Sequence, residues 1–256
     1  MDRVLDLFRL DGKVALVTGT SRGLGQGAAL ALAEAGADVA LLDRTPAVET
    51  AGKVRALGRR VHIIEQDLIA ATPQEFHASI RSVVDTLGHI DILVNNAGII
   101  RRAPLLEHPA SDWDDVLAIN LDAVFHLSQA AARHYVTRAG GKIINIASML
   151  SFQGGVLVPG YTASKHAVAG ITKSFANELA AHGVNVNAIA PGYMATDNTA
   201  PIRADPAREK SILERIPAGR WGTAADLRGP IVFLASAASD YLNGAIIPVD
   251  GGWLVR

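Results

Sequence analysis

Short apolar, β-branched runs alternate along the chain with longer stretches whose apolar residues recur at helical spacing. Residues 13–18, 38–43, 61–66, 90–94, 142–147, 184–190 and 245–249 read as seven strands separated by crossover segments. Strands this continuously apolar need cover on both faces, and helices on each side of a parallel sheet supply it. The pattern therefore predicts an α/β fold: a doubly wound parallel sheet of about seven strands with helices on both faces. Residues 26–35 and 111–136 are the clearest helical segments. Between the last two strands, residues 193–217 are polar and include Pro201, Pro206 and Pro217. This stretch is too irregular for a core layer and follows a strand's carboxyl end, where open α/β sheets bind ligands. It is expected to be a substrate lid. No repeat or interdomain linker interrupts the pattern, so residues 1–256 are expected to form a single domain.

Composition narrows the function classes. Hydrophobic residues make up 49% of the chain, yet polar interruptions break every stretch before the ~18 residues of a membrane span. Lys and Arg number 24 against 25 Asp and Glu, a formal charge of -1, so no basic field gathers nucleic acid or anionic lipid. Small neutral or acidic metabolites fit better. With no cysteine there is no disulfide, thiolate metal site or thiol nucleophile. None of the eight histidines falls in a metal-spaced cluster, and His166 beside Lys165 reads as helix packing or exposure. The N-terminal stretch lacks the basic and apolar regions of a signal peptide, which makes the cytoplasm the expected location.

The first strand runs into Thr18-Gly19-Thr-Ser21-Arg22-Gly23-Leu24-Gly25, followed by the alanine-rich helical stretch. A pyrophosphate can rest on such a helix N-terminus, because free N–H groups and the helix dipole both favour negative charge. A tight strand-to-helix turn also needs glycine on steric grounds alone, so the context matters. The next strand ends in Asp43, where a dinucleotide fingerprint places a carboxylate that accepts hydrogen bonds from the adenosine ribose. Asp43 reads equally as a turn residue ahead of Pro46. Strand, glycines and carboxylate together describe a Rossmann-type sheet. A carboxylate at that position repels the 2′-phosphate of NADP, so NAD is expected first. Arg22 and Arg44 are placed to pair with that phosphate, which leaves NADP as a secondary cofactor.

Tyr161-Thr-Ala-Ser-Lys165 sets a phenol and an ammonium at i and i+4, on one helix face. Tyrosine, with a pKa of about 10, is a poor base at neutral pH, but a nearby ammonium stabilises its phenolate. Ser148 follows the apolar run 142–147 and so lies just past a strand's carboxyl end, placed to hydrogen-bond a reacting oxygen. Asn120 sits inside the helical segment 111–136, an unfavourable place for an amide. Each alone has an ordinary explanation: a solvated pair, a turn or cap, an amide satisfying a neighbouring backbone group.

Together, Thr18-Gly19-x-x-x-Gly23-x-Gly25, Asn95-Asn96-Ala97-Gly98, Asn120, Ser148, Tyr161-x-x-x-Lys165 and Pro191-Gly192 stand in the order and approximate spacing of the short-chain dehydrogenase/reductase family. The chain resembles that family over nearly its whole length. The resemblance implies that Tyr161 is the general acid/base, that Lys165 lowers its pKa and holds the nicotinamide ribose, that Ser148 orients the substrate oxygen, and that Asn120 anchors a water in a proton relay. It implies cofactor contacts from Gly19, Ser21, Arg22, Gly23, Leu24 and Gly25, from Asp67 and Leu68 near the adenine, and from Asn95, Ala97 and Gly98. Pro191, Gly192, Met194 and Thr196 are implied around the carboxamide. A homotetramer is implied too, with the helices from Ser111 and Tyr161 pairing between subunits.

A narrower resemblance, carried by residues 146–155, 190–196 and 215–222, is to members of that family that act on deoxy sugar acids in pectin and uronate breakdown. It implies a small sugar-acid substrate, one secondary hydroxyl of which is oxidised or the matching ketone reduced. An aldonate carboxylate suits a bidentate guanidinium. Arg101 and Arg102 follow Gly98 closely and are candidates for that clamp; they read equally as a solvated pair flanking a loop. Gln153, Tyr193 and Asn198 are candidate hydroxyl partners. Gluconate 5-dehydrogenation and reduction of a 3-oxoacyl thioester are the alternatives within the class. A non-catalytic dinucleotide-binding scaffold is the alternative outside it, against which the complete set Asn120, Ser148, Tyr161 and Lys165 argues.

Overall fold

The structure is a computed structural model and describes residues 3–138 and 140–256. Its seven strands are β1 (Val14–Thr18), β2 (Asp38–Asp43), β3 (Val61–Glu65), β4 (Ile92–Asn95), β5 (Gly141–Ile146), β6 (Val184–Pro191) and β7 (Ile246–Val249). All pair in parallel in the order β3-β2-β1-β4-β5-β6-β7. The expected strands are all present, each within two residues at either end. The helices are α1 (Gly23–Glu34), α2 (Val48–Ala56), α3 (Pro73–Leu87), α4 (Ala110–Leu117), α5 (Ala123–Tyr135), α6 (Pro159–Leu179), α7 (Ala200–Arg203), α8 (Pro206–Arg215) and α9 (Ala224–Ala235).

β1 shows why the strands read as unbroken apolar runs. All five of its residues are buried. Ala15 and Val17 pack with Ala28, Ala29 and Leu32 of α1 and with Leu227 and Ile231 of α9 on one face. Val14 and Leu16 pack with Phe76, Ile80 and Val83 of α3 and Leu127 of α5 on the other. Alternation along the pleat sends successive side chains into different cores, and both cores are apolar. Small residues on α1 let that helix lie close to the sheet. Local chemistry fixes the ends of α3: Thr72 and Glu75 form a reciprocal capping box, Pro73 occupies the first turn, and Gly88 closes the helix at a φ of 96°.

Two expectations about elements change. Segment 111–136 is helical throughout its core, but Ala118–Asp122 forms one π-turn between α4 and α5, with Asn120 in its middle. Segment 193–217 is not irregular: most of it is the single turn α7 and the ten-residue α8. Pro201 and Pro206 stand in the first turns of these helices, where no intrahelical N–H is required, so they start helices here rather than break them. The Asp205 carboxylate caps α8 by accepting from the backbone N–H groups of Ala207 and Arg208 at 3.1 and 3.2 Å. No helix among the described residues is long and apolar enough to cross a membrane.

The strand order reverses beside β1, which pairs with β2 on one side and β4 on the other. Crossovers leave in opposite directions there, which opens a crevice at the carboxyl ends of the two strands.

Candidate active site

That crevice is a cleft of about 430 Å³. Its floor is the turn after β1. Gly19 has a φ of 71°, and a Cβ there would sit 3.0 Å from Ala97 Cα. A Cβ on Gly25 would fall 2.0 Å from the Gly19 carbonyl oxygen, so no side chain fits. Thr18 Oγ1 accepts from the N–H groups of Asn96 and Ala97 at 3.0 and 2.9 Å, while Asn96 Nδ2 donates to Thr18 O at 2.8 Å and Gly19 O at 3.2 Å. These bonds lock the ends of β1 and β4 together. Among the described residues no side chain caps α1, which leaves its first-turn N–H groups available to an anion. A glycine cradle against an uncapped helix start fits a dinucleotide's pyrophosphate.

Of the residues expected around a cofactor, Gly19, Ser21, Arg22, Gly23, Leu24, Gly25, Asp43, Asp67, Leu68, Ala97, Gly98, Tyr161, Lys165 and Thr196 line this cleft. Four do not. Asn95 ends β4 with its side chain turned into the core, where Nδ2 donates to Ser128 Oγ at 3.0 Å and Asn145 Oδ1 at 2.9 Å. Its neighbour Asn96, on the other side of the pleat, faces the cleft instead. Pro191 is buried at the end of β6, Gly192 packs against Asp250, and Met194 is buried in the core beside α9. Ala195, Asp197 and Asn198 border the cleft in their place, as do Arg44, Gln66 and Ile99.

Asp43 does more than end a strand. Its Oδ2 accepts from Ser21 N at 2.8 Å and its Oδ1 from Arg44 N at 2.7 Å, so the carboxylate also holds the glycine-rich turn. Arg22 forms an ion pair with Asp197 at 2.9 Å, reaching from that turn to the segment after β6. Nothing local in the sequence signals this contact, since its partners are far apart along the chain and meet only across the cleft.

Of the candidate catalytic groups, Tyr161 and Lys165 line the cleft, while Ser148 and Asn120 stand behind its wall, Ser148 against the Tyr161 phenol and Asn120 against Ile99. Tyr161 is in the first turn of α6 and Lys165 one turn on, with its Nζ 5.5 Å from the centroid of the phenol ring. Lys165 is only 4% exposed and donates to Ile146 O at 2.6 Å. Burial lowers its pKa to about 8. Burial pushes the half-buried Tyr161 phenol up, while the Ser148 hydroxyl and the charge of Arg102 pull it back. Ser148 stands just past β5, where its Oγ accepts from Leu150 N at 3.1 Å and keeps its own proton free to donate. Asn120 is fully buried: Nδ2 donates to Ile99 O and Ser164 Oγ, and Oδ1 accepts from Ile99 N, so the amide fastens the loop after β4 to the π-turn and α6. π-turns inside α-helices are frequent at functional sites, because the extra residue re-aims a side chain and loosens the carbonyl ladder.

The substrate end sorts the two arginines. Arg101 is ion-paired with Asp112 and Asp115 of α4 at 3.5 and 3.4 Å, which commits it to the helix surface. Arg102 donates to the backbone oxygen of Asn198 at 3.0 Å and has no carboxylate partner among the described residues. Gln153 accepts from Trp253 Nε1 at 2.8 Å, and Tyr193 packs edge-on against Trp221 and Trp253 at 5.4 and 4.7 Å. Trp221 and Trp253 are missed as site residues by sequence reasoning: Trp221 lies inside the resembling segment 215–222 but an indole there signals no chemistry, and Trp253 lies near no recognisable motif.

A cleft floored by glycines, with a phenol, an ammonium and a hydroxyl at its inner end, can hold a dinucleotide and exchange a proton with a substrate oxygen. Comparisons with known proteins agree. The short chain dehydrogenase family model matches residues 13–207. The 2-dehydro-3-deoxy-D-gluconate 5-dehydrogenase of Escherichia coli (strain K12) is 58% identical over 256 residues, covering 99% of this chain and 100% of the relative. The enzyme of the same name from Dickeya dadantii (strain 3937) is 56% identical over 254 residues, covering 99% and 100%. Among solved structures, one from Agrobacterium tumefaciens, assigned as a 2-deoxy-D-gluconate 3-dehydrogenase and holding NADP, is 52% identical with a TM-score of 0.91, covering 98% of this chain and 99% of that one.

Proposed function

This chain belongs to the short-chain dehydrogenase family, and from that premise we propose that it interconverts the 5-hydroxyl and 5-ketone of 2-dehydro-3-deoxy-D-gluconate. It is an oxidoreductase acting on a hydroxyl group of a sugar acid. The observation that carries the proposal is the convergence of Ser148, Tyr161 and Lys165 beside the glycine cradle.

The nicotinamide cofactor, when bound, takes up or gives the hydride. The chain's own groups handle the proton and the geometry. Ser148 donates to the substrate oxygen and fixes it near Tyr161. In oxidation the Tyr161 phenolate removes the hydroxyl proton, and in reduction the phenol supplies it. Burial moves the two members of the Tyr161–Lys165 pair in opposite directions: the phenol rises from its ordinary value of 10.0 and the ammonium falls from 10.5 to about 8. Each neutral form gains, so the resting phenol holds its proton, which suits reduction; in oxidation Tyr161 must first lose that proton, and the expected lowering of its pKa comes here from Ser148 and Arg102 rather than from Lys165. Lys165 also stands where its ammonium can hold the nicotinamide ribose, and Asn120 fixes the loop that walls the site.

The cleft binds NAD(P), and NAD is the proposed preference. Asp43 presents a carboxylate at the position that repels a 2′-phosphate, and its counterweight Arg22 is engaged by Asp197. Arg44 lines the same end and supports NADP as the secondary cofactor. Residues 1–256 act as one domain, with 193–217 as the lid. Trp113 and Phe125, both well exposed on α4 and α5, suit subunit packing in a cytoplasmic homotetramer.

Absorbance at the NADH band, with a panel of sugar acids, gluconate and a 3-oxoacyl thioester run with both cofactors, tests the proposal. Highest kcat/KM on 2-dehydro-3-deoxy-D-gluconate with NAD is expected. Faster turnover of the thioester, or none on any carbonyl or alcohol, overturns it.

A further inference from the structure

The lid helix α8 turns one face toward the aromatic cluster beside the site. Arg208, Ile212 and Arg215 are spaced i, i+4 and i+7, so they share that face. Ile212 is buried in a cluster with Met149 and Trp253, against which Tyr193 and Trp221 pack. Met149 directly follows Ser148, so the cluster begins where the reacting oxygen is held. Arg215 Cζ lies 3.9 Å from the centroid of the Trp253 ring, and Trp253 is the ring that Tyr193 meets at 4.7 Å. Arg102 reaches the same place from the loop after β4 through its bond to Asn198 O.

These arginines differ from several others on this side of the molecule. Arg22, Arg101 and Arg220 are each matched to a carboxylate. Arg102, Arg208 and Arg215 form no salt bridge among the described residues. Their charges meet at Tyr193, whose phenol burial pushes up and all three guanidiniums pull down, Arg208 most. Arg102 acts on Tyr161 as well, so one guanidinium lies near both the reacting phenol and the aromatic cluster. Trp221 Nε1, in the same cluster, is a buried donor with no acceptor among the described residues. Unmatched cations around a half-buried aromatic wall have an unmet need for an anion, and planar guanidiniums suit a carboxylate in particular.

We propose that Arg208 of the lid helix, together with Arg102 across from it, forms the pole that recognises the substrate's carboxylate, while Arg215 and Trp253 build the wall behind it. This rests on the reading of the same site as acting on a sugar acid, and it names which residues make that site selective for acids. Half of the acid-binding pole is thereby carried by the lid. A substrate lacking the carboxylate leaves Arg208 without a partner and gives the lid less reason to stay over the cleft. Arg208 is a specificity residue, remote from the proton and hydride steps.

The test compares 2-dehydro-3-deoxy-D-gluconate with its uncharged methyl ester, for the wild type, Arg208→Ala, Arg208→Lys, Arg102→Ala and the Arg102→Ala/Arg208→Ala double variant. NADH binding, followed by fluorescence, is the control for folding. Arg208→Ala is expected to lower kcat/KM for the acid about 10- to 100-fold, the scale of one lost charge-assisted bond, through a higher KM. Turnover of the ester should change less than threefold. The lysine variant should fall between, since an ammonium keeps the charge but loses the planar fork. The double variant should lose less than the product of the single losses, because both guanidiniums bind one group. If the wild type turns over the acid and prefers it, yet Arg208→Ala loses acid and ester equally or neither, the inference fails and the functional reading survives. If the wild type has no preference for the acid over the ester, the sugar-acid reading itself falls and this inference with it.

Discussion

At the scale of single residues, the site is governed by what burial does to two titratable groups. Tyr161→Phe removes the proton carrier without changing the shape of the α6 turn. It should fold, bind NADH and lose about 10²- to 10⁴-fold in turnover, as expected for loss of general acid/base catalysis; near-normal kcat would remove Tyr161 from the mechanism. Lys165 makes a prediction about stability. Below pH 8 it is charged in both the folded and unfolded chain, and the cost of burying the ammonium is fully present. Between about 8 and 10.5 only the unfolded chain keeps the proton, so stability should rise with pH through that window. Lys165→Met, without bound cofactor, is therefore expected to gain up to about 3 kcal/mol over the wild type at pH 7, a gain that fades by pH 10.5. Urea denaturation of both proteins across this range checks it, and a difference independent of pH would count against it. The same variant should bind NADH less well, which separates the residue's cost to the fold from its use in the site.

At the scale of elements, the π-turn Ala118–Asp122 is the departure from regular structure closest to the chemistry. Its wider ring places Asn120 where one amide can accept from the N–H of Ile99, donate to its carbonyl oxygen and reach Ser164 as well. Ser164 in turn donates to Tyr161 O at 2.8 Å, so the π-turn braces the helix turn that carries the phenol. Asn120→Ala should leave these partners unsatisfied and cost about 1–3 kcal/mol. It should also lower kcat more than it raises the KM for NADH, because the damage falls on positioning rather than on the glycine cradle. Equal stability by thermal melting, with unchanged kcat, would show the amide to be dispensable. The lid helices make a related point: their prolines and polar residues look like loop in the sequence, yet a proline at the first turn and the Asp205 cap are start signals for α8.

At the scale of the whole molecule, the cleft exists because the strand order reverses at β1, and contacts across it tie together distant parts of the chain. The Arg22–Asp197 pair is well exposed on both sides, so Asp197→Asn should change stability by less than about 1 kcal/mol. It should nevertheless release Arg22 toward a 2′-phosphate and shift the NAD/NADP ratio of kcat/KM toward NADP; a ratio unchanged at low salt would show that Asp197 does not govern Arg22. The sequence by itself determined the seven strands and the doubly wound sheet, and it singled out the candidate set Asn120, Ser148, Tyr161 and Lys165. Apolar runs report burial on both faces, and a phenol and ammonium at i and i+4 share a helix face whatever surrounds them. Asp43 was legible for the same reason, since it ends the strand next to the glycine-rich turn. Only the tertiary structure decided which way each side chain at a strand end faces: Asn95 goes into the core and Asn96 into the cleft, although the two are adjacent. It alone matched charges from separate segments, giving Arg101 to Asp112 and Asp115, Arg22 to Asp197, and leaving Arg102 and Arg208 without a carboxylate partner among the described residues. Secondary structure follows from local periodicity, but the partner of a charge is set by how the crossovers bring distant segments together, and no spacing along the chain encodes that distance.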